Sequence, residues 1–139
     1  MYPEELVAPM RADLTEIGFK ELKTSDEVNA FFKDQKGTAL LVINSVCGCA
    51  AGAARPGVKH ALEQSSYKPD HLATVFAGVD SDAVQQAREY CLPYPPSSPS
   101  IAIFKDGELV HFVERHNIEG KNATLIGDHL AATFEEISK

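Results

Sequence analysis

Hydrophobic positions recur along the chain with two different periods, and the changes of period mark its elements. In PEELVAPMRADLTEIG, residues 3–18, Leu6, Met10, Leu14 and Ile17 follow helical spacing. Pro3 suits a first helical turn, Glu4 and Glu5 suit its positive dipole end, and Gly18 suits a stop, although Pro9 interrupts the pattern. TSDEVNAFFKDQKG, residues 24–37, reads as a second helix, with Thr24 or Ser25 as cap, Asp26 and Glu27 in the first turn and Gly37 at its end. TALLVIN, residues 38–44, is a nearly continuous apolar run, which fits a strand buried on both faces. AAGAARPGVKHALEQ, residues 50–64, returns to a helical pattern, and Pro56 is expected to kink or split it.

HLATVFAGV, residues 71–79, predicts another buried strand, and DSDAVQQAREYC, residues 80–91, a helix opened by Asp80 or Ser81. LPYPPSSPS, residues 92–100, must be a loop, because its prolines remove backbone donors. IAIFK and ELVHFV flank Asp106-Gly107, a strong short-range hairpin signal. The last helix is predicted over about 122–137, from Leu125, Ile126, Leu130 and Phe134. The predicted order is α-α-β-α-β-α-β-β-α. A β-α-β unit followed by a hairpin and a closing helix makes an α/β protein with a mixed sheet covered by helices. At 139 residues, a single domain over 1–139 is expected.

Composition narrows the function classes. A net charge of -7 and a pI of about 5.1 argue against nucleic acid or an anionic membrane as the main partner. No apolar run approaches the length of a membrane span. The first residues, MYPEELVAPMRADL, lack the apolar core of a signal peptide, so a cytosolic location is expected. Three cysteines are too few for a disulfide-stapled scaffold.

Two of the three, Cys47 and Cys49, flank Gly48 in NSVCGCAAGAARPGV. They lie where a buried strand passes into a helix, the place where α/β sheets gather ligands and chemistry. Free N–H groups and the partial positive charge of a helix start lower a thiol's pKa, and the thiolate is the attacking form in disulfide exchange. Cys47 is therefore the candidate nucleophile and Cys49 the candidate resolving thiol, with Gly48 leaving access to both. A disulfide across one residue is a tight ring, expected to be easily reduced. Metal binding is the rival reading. C-x-C supplies two ligands of the usual four, and Cys91, His60, His71, His111, His116 or His129 would have to complete the site. None of these forms a paired ligand motif, so no metal and no bound cofactor are expected. Cys91 reads as a buried helix-end residue.

The proline loop adds an independent signal. Ser98-Pro99-Ser100 leads directly into the hairpin. If Pro99 is cis and faces the cysteines, Ser98 offers backbone groups to an extended peptide or thiol substrate. Arg55 is a candidate for holding a carboxylate of the substrate thiol. Glu114, Arg115 and His116, after the hairpin, are candidates for proton transfer or charge recognition, or form a solvated strand end.

These residues resemble a known family. The order of elements with cysteines after the first main strand is similar to the thioredoxin fold, and PSIAIFKDGELV resembles its cis-proline loop and following hairpin. NSVCGCAAGAARPGV together with YPPSSPSIAIFKDGELVHFVERHNIEG resembles the bacilliredoxins, bacterial thioredoxin-like proteins with a C-G-C motif, over roughly residues 4–138. The resemblance implies a thioredoxin-like mixed central sheet with helices on both faces. It also implies a thiol–disulfide oxidoreductase acting on protein substrates that carry mixed disulfides with bacillithiol, a small thiol. On that pattern Cys47 takes up bacillithiol, Cys49 or a second bacillithiol resolves the adduct, and Ser98 and Pro99 border the substrate. A general disulfide isomerase or thioredoxin-like reductase is the alternative, and a metal module on the same thiols a more distant one. The chain departs from ordinary thioredoxins in having Val46 before Cys47, a one-residue spacer, and no acid in TALLVIN to move the resolving thiol's proton.

Overall fold

β2 (Thr38–Asn44) runs through the middle of a five-stranded sheet, and all seven of its residues are buried. The structure is a computed structural model that describes residues 2–138. The sheet order is β1-β3-β2-β4-β5. β3 (His71–Phe76) lies parallel to β2, with Leu41 opposite Ala73. β4 (Ser100–Lys105) lies antiparallel on the other side, with Val42 opposite Ile101. β5 (Glu108–Val113) closes that edge as the second arm of the predicted hairpin. Asp106 and Gly107 have φ of 51° and 84°, the left-handed pair that a tight hairpin turn needs.

Strand periodicity splits β2 between two cores, which explains its unbroken apolar run. Leu40 and Val42 point into one core with Leu14, Val58, Leu130 and Phe134. Leu41 and Ile43 point into the other with Val28, Phe32, Val84, Phe104 and Cys91. Helices α1 (Glu4–Thr15), α3 (Arg55–Gln64) and α6 (Ala123–Ile137) supply residues to the first core, and α2 (Ser25–Phe32) and α4 (Ser81–Tyr90) to the second.

Several expectations are refined. α1 buries Leu14 as predicted, together with Val7 and Arg11, while the predicted Leu6 is exposed. Arg11 can be buried because its guanidinium meets Glu4, Glu21 and Asp80 at 3.0, 3.0 and 2.8 Å and lies 5.3 Å from the Phe76 ring centre. Pro9 does not break α1, since it sits on the solvent face, where water can satisfy the carbonyl it frees. α2 is capped by Thr24 as predicted but stops at Phe32, short of Gly37. Pro56 falls in the first turn of α3, where the helical run changes from π to α geometry. The helical run extends from Gly48 to Gln64, and a π-helical turn at Ala50–Ala54 widens the backbone just before the proline.

Two elements escaped the sequence reading: the two-residue strand β1 (Lys20–Glu21), parallel to β3, and the short helix α5 (Arg115–Ile118). α3 and α6 approach closely because both carry glycine at the contact. A Cβ on Gly57 would stand 2.7 Å from Ile126 Cγ2, and one on Gly127 2.3 Å from His60 Cδ2. Among the described residues, no helix is long and apolar enough to cross a membrane.

Candidate active site at the end of strand β2

The chain leaves β2 through Asn44 and Ser45 and enters the helical run at Gly48, so the cysteines stand at the carboxyl end of the central strand. The turn is held from below by a buried polar network. Ser45 Oγ accepts from the Cys47 N–H at 2.9 Å, and Asn44 Oδ1 accepts from the Ser45 N–H at 2.9 Å. The Asn44 side-chain amide donates to the Met10 carbonyl at 3.1 Å, anchoring the turn to α1.

Arg55 belongs to this network, which corrects its reading as a ligand for a substrate carboxylate or a solvated side chain. It is only 4% exposed. Its Nη1 donates to Asn44 Oδ1 and to the Ser45 carbonyl, both at 2.9 Å, and its Nε to Asp13 Oδ2 at 3.0 Å. The guanidinium is thus engaged with protein groups beneath the turn. Asn44, Ser45 and Asp13 were not singled out in the sequence. The available signal was a polar Asn-Ser pair at the end of an otherwise nearly apolar strand.

The two thiols are partly exposed and unequal. The Cys49 N–H donates to Cys47 Sγ at 3.3 Å, while the Cys47 carbonyl accepts from Ala50 and Ala51 at 3.0 and 3.2 Å. Burial opposes ionisation of Cys47, but hydrogen bonds from the Cys49 thiol and from the Cys49 and Ala50 backbone, with the charge of Arg115, outweigh it. The Cys47 pKa lies below its ordinary value. Burial and the bond it gives to Cys47 push the Cys49 pKa up. Cys47 is therefore the thiol that ionises first, and Cys49 keeps its proton. Gly48 is exposed, with open space where a Cβ would stand, so nothing screens the pair at that point.

The proline loop and α5 face this pair. The Ser98–Pro99 peptide is cis, as is the unanticipated Leu92–Pro93. Pro99 is buried and Ser98 partly exposed. Arg115 bridges the two halves of the site: its Nη1 donates to the Ser98 carbonyl at 3.1 Å, its Nε pairs with Glu119, and its charge acts on both cysteines. Of the ERH triplet, Arg115 is thus the member linked to the thiols. His116 is exposed and pairs with Glu114 at 3.2 Å. Arg115→Gln is expected to move the pH profile of Cys47 alkylation to higher pH, because removing a cation disfavours the thiolate. Iodoacetamide rates measured against pH check this, and an unmoved profile counts against any influence of Arg115.

The side chains proposed to complete a metal site lie elsewhere. His60 bonds Asp128 at 3.1 Å, His71 bonds the Lys36 carbonyl at 2.9 Å, and His111 and His129 bond each other at 2.8 Å. Cys91 is buried in the second core, and burial pushes its pKa up to about 12. Among the described residues, no group of three or more His, Cys, Asp or Glu side chains could hold a metal ion.

A family model described as disulphide isomerase matches residues 2–138. A bacilliredoxin of Cytophaga hutchinsonii is 64% identical over 137 residues, covering 99% of this chain and all of the relative. The chain belongs to the bacilliredoxin family. A bacilliredoxin of Salinibacter ruber is 52% identical over 96% of this chain and 79% of its own length, and one of Geobacillus kaustophilus 49% identical over 97% and 93%. Among solved structures, oxidised thioredoxin of Plasmodium falciparum matches at a TM-score of 0.59, with 14% identity over 88% of this chain and all of its own. A thioredoxin variant of Halobacterium salinarum matches at 0.57, with 18% identity over 86% and 89%. The bacilliredoxin chain described here thus has the thioredoxin fold, with helices on both faces of its sheet.

Proposed function

We propose that this chain, a thiol–disulfide oxidoreductase by family and fold, reduces mixed disulfides between protein cysteines and a small thiol of the bacillithiol kind. The observation that carries the reading is the placement of two partly exposed thiols at the carboxyl end of β2, with the Cys49 N–H donating to Cys47 Sγ at 3.3 Å and a cis Pro99 leading into the neighbouring strand β4. The Cys47 thiolate attacks the small thiol's sulfur, forming a new S–S bond and releasing the protein substrate as its thiolate, which takes a proton from water. While Cys47 is an anion, Cys49 is held protonated by its bond to that sulfur. Once Cys47 is tied into the mixed disulfide, that hold is gone and Cys49 ionises more easily. Its thiolate closes the Cys47–Cys49 disulfide and expels the small thiol. The two electrons come from the protein's own thiols, and further small thiol restores them. Proton handling of this kind needs no buried acid in β2, which contains none.

Ser98 and Pro99 border the substrate in this reading, and Gly48 leaves its path open. Mass spectrometry of reduced protein challenged with bacillithiol disulfide and with glutathione disulfide tests it. Addition at Cys47, faster with bacillithiol, is expected; equal rates overturn the small-thiol preference, and addition at Cys91 overturns the site. The description of the matching family favours one further reading, disulfide isomerisation, in which another thiol of the attacked protein displaces Cys47, forming a rearranged disulfide, before Cys49 closes the ring. Recovery of activity by a scrambled-disulfide protein, independent of any small thiol, identifies that case.

A further inference from the structure

A cavity of about 600 Å³ lies between α4 and the proline loop, with Gln85, Arg88 and Glu89 on one wall and Tyr94, Pro96 and Ser98 on the other. Its volume suits a small molecule and is far too small for a folded partner. Ser98, which lines it, leads into cis Pro99 and gives its carbonyl to Arg115, the cation whose charge acts on both cysteines.

Arg88 sets the chemistry of the cavity. The chain has four arginines, and three of them meet carboxylates: Arg11 with Glu4, Glu21 and Asp80, Arg55 with Asp13, and Arg115 with Glu119. Arg88 has no ion pair among the described residues, and its Nε lies out of solvent without a hydrogen-bond partner. The neighbouring Cys91 thiol, with its pKa near 12, stays neutral and does not compensate it. A partly desolvated guanidinium facing a small-molecule cavity is matched by a carboxylate, which accepts its fork of donors in two parallel bonds. Glu89 on the same wall limits the ligand. Its carboxylate suits an amino or hydroxyl group of the ligand.

We propose that this cavity is the subsite for the small-thiol half of the mixed disulfide, with Arg88 gripping a carboxylate of that thiol. The inference rests on the proposed function, and it moves to Arg88 the recognition that the sequence suggested for Arg55. The small thiol's sulfur lies at the redox pair, its body runs past Ser98, and its acid group reaches α4.

Three mixed disulfides of one model protein test it: with bacillithiol, with glutathione, and with cysteamine, which has no carboxylate. The selectivity of kcat/KM for the first two over cysteamine is expected to fall about tenfold in Arg88→Met, through KM rather than kcat, with partial recovery in Arg88→Lys. Equal loss on all three, a loss that follows the protein half when the model protein is exchanged, or no loss at all overturns the subsite. Thermal unfolding of each variant separates misfolding from lost recognition. Wild-type protein that reduces none of the three overturns the proposed function itself, a distinct result.

Discussion

Cys47→Ser is expected to reduce the rate of mixed-disulfide reduction to background, a loss of about three orders of magnitude or more. A serine hydroxyl is not ionised at neutral pH and forms no S–S bond, so neither attack nor adduct is possible. Cys49→Ser has a different expected outcome. The N–H of residue 49 still donates to Cys47 Sγ, and the new hydroxyl replaces the donor that the Cys49 thiol supplied. The first step therefore continues, and the adduct on Cys47 persists until a second small thiol removes it. Cys49→Ala removes the side-chain donor as well, so its Cys47 is expected to ionise at higher pH than that of Cys49→Ser. Intact-mass spectra after one equivalent of mixed disulfide distinguish the three variants. Full activity in Cys47→Ser, or no stable adduct in Cys49→Ser, overturns the assigned roles.

The largest expected effect on stability comes from Arg55→Met. The substitution nearly keeps the side-chain length but removes the donors to Asn44, Ser45 and Asp13. The Ser45 carbonyl and part of the Asn44 amide are then left buried without those partners. The expected cost is about 3 kcal/mol, or a fall in Tm of roughly 10 °C for a chain of this size. Asp13 is half-exposed and contributes less, because water rescues its charge. Arg55→Lys keeps the charge but not the fork, and recovers only part of the loss. Urea unfolding of both variants measures this. A loss below about 1 kcal/mol for Arg55→Met would show that the network does not hold the turn. Since the same network carries the Cys47 N–H through Ser45, the variant is also expected to react more slowly.

The parts of the fold that were legible in the sequence are those written in apolar periodicity. TALLVIN announces a central strand because both of its faces need hydrophobic partners, and Asp106-Gly107 announces its turn because few residues accept positive φ twice in succession. The placement of the cysteine pair was legible as well, since it directly follows the end of such a strand. Charged residues made the rest hard to read. Arg11 and Arg55 look like solvent residues on their own, and their burial depends on carboxylates as far away in sequence as Asp80 and Asp13. β1 consists of Lys20 and Glu21, which carry no strand signal; backbone pairing to Ala73 and Thr74 makes it one. Pro56 signals a break, yet a π turn accommodates it, a solution that side-chain pattern does not encode.

Arg115 couples the electrical state of the sulfurs to the proline loop. In the reduced protein its guanidinium serves three interests at once: the Cys47 anion, Glu119 and the Ser98 carbonyl. On the proposed function, closing the Cys47–Cys49 disulfide removes the thiolate, and only the other two remain. The mouth of the site then loses whatever negative charge Cys47 carried, in a chain whose formal net charge is -7. On the same proposal, an incoming acidic small thiol is drawn more strongly to the oxidised site than to the reduced one.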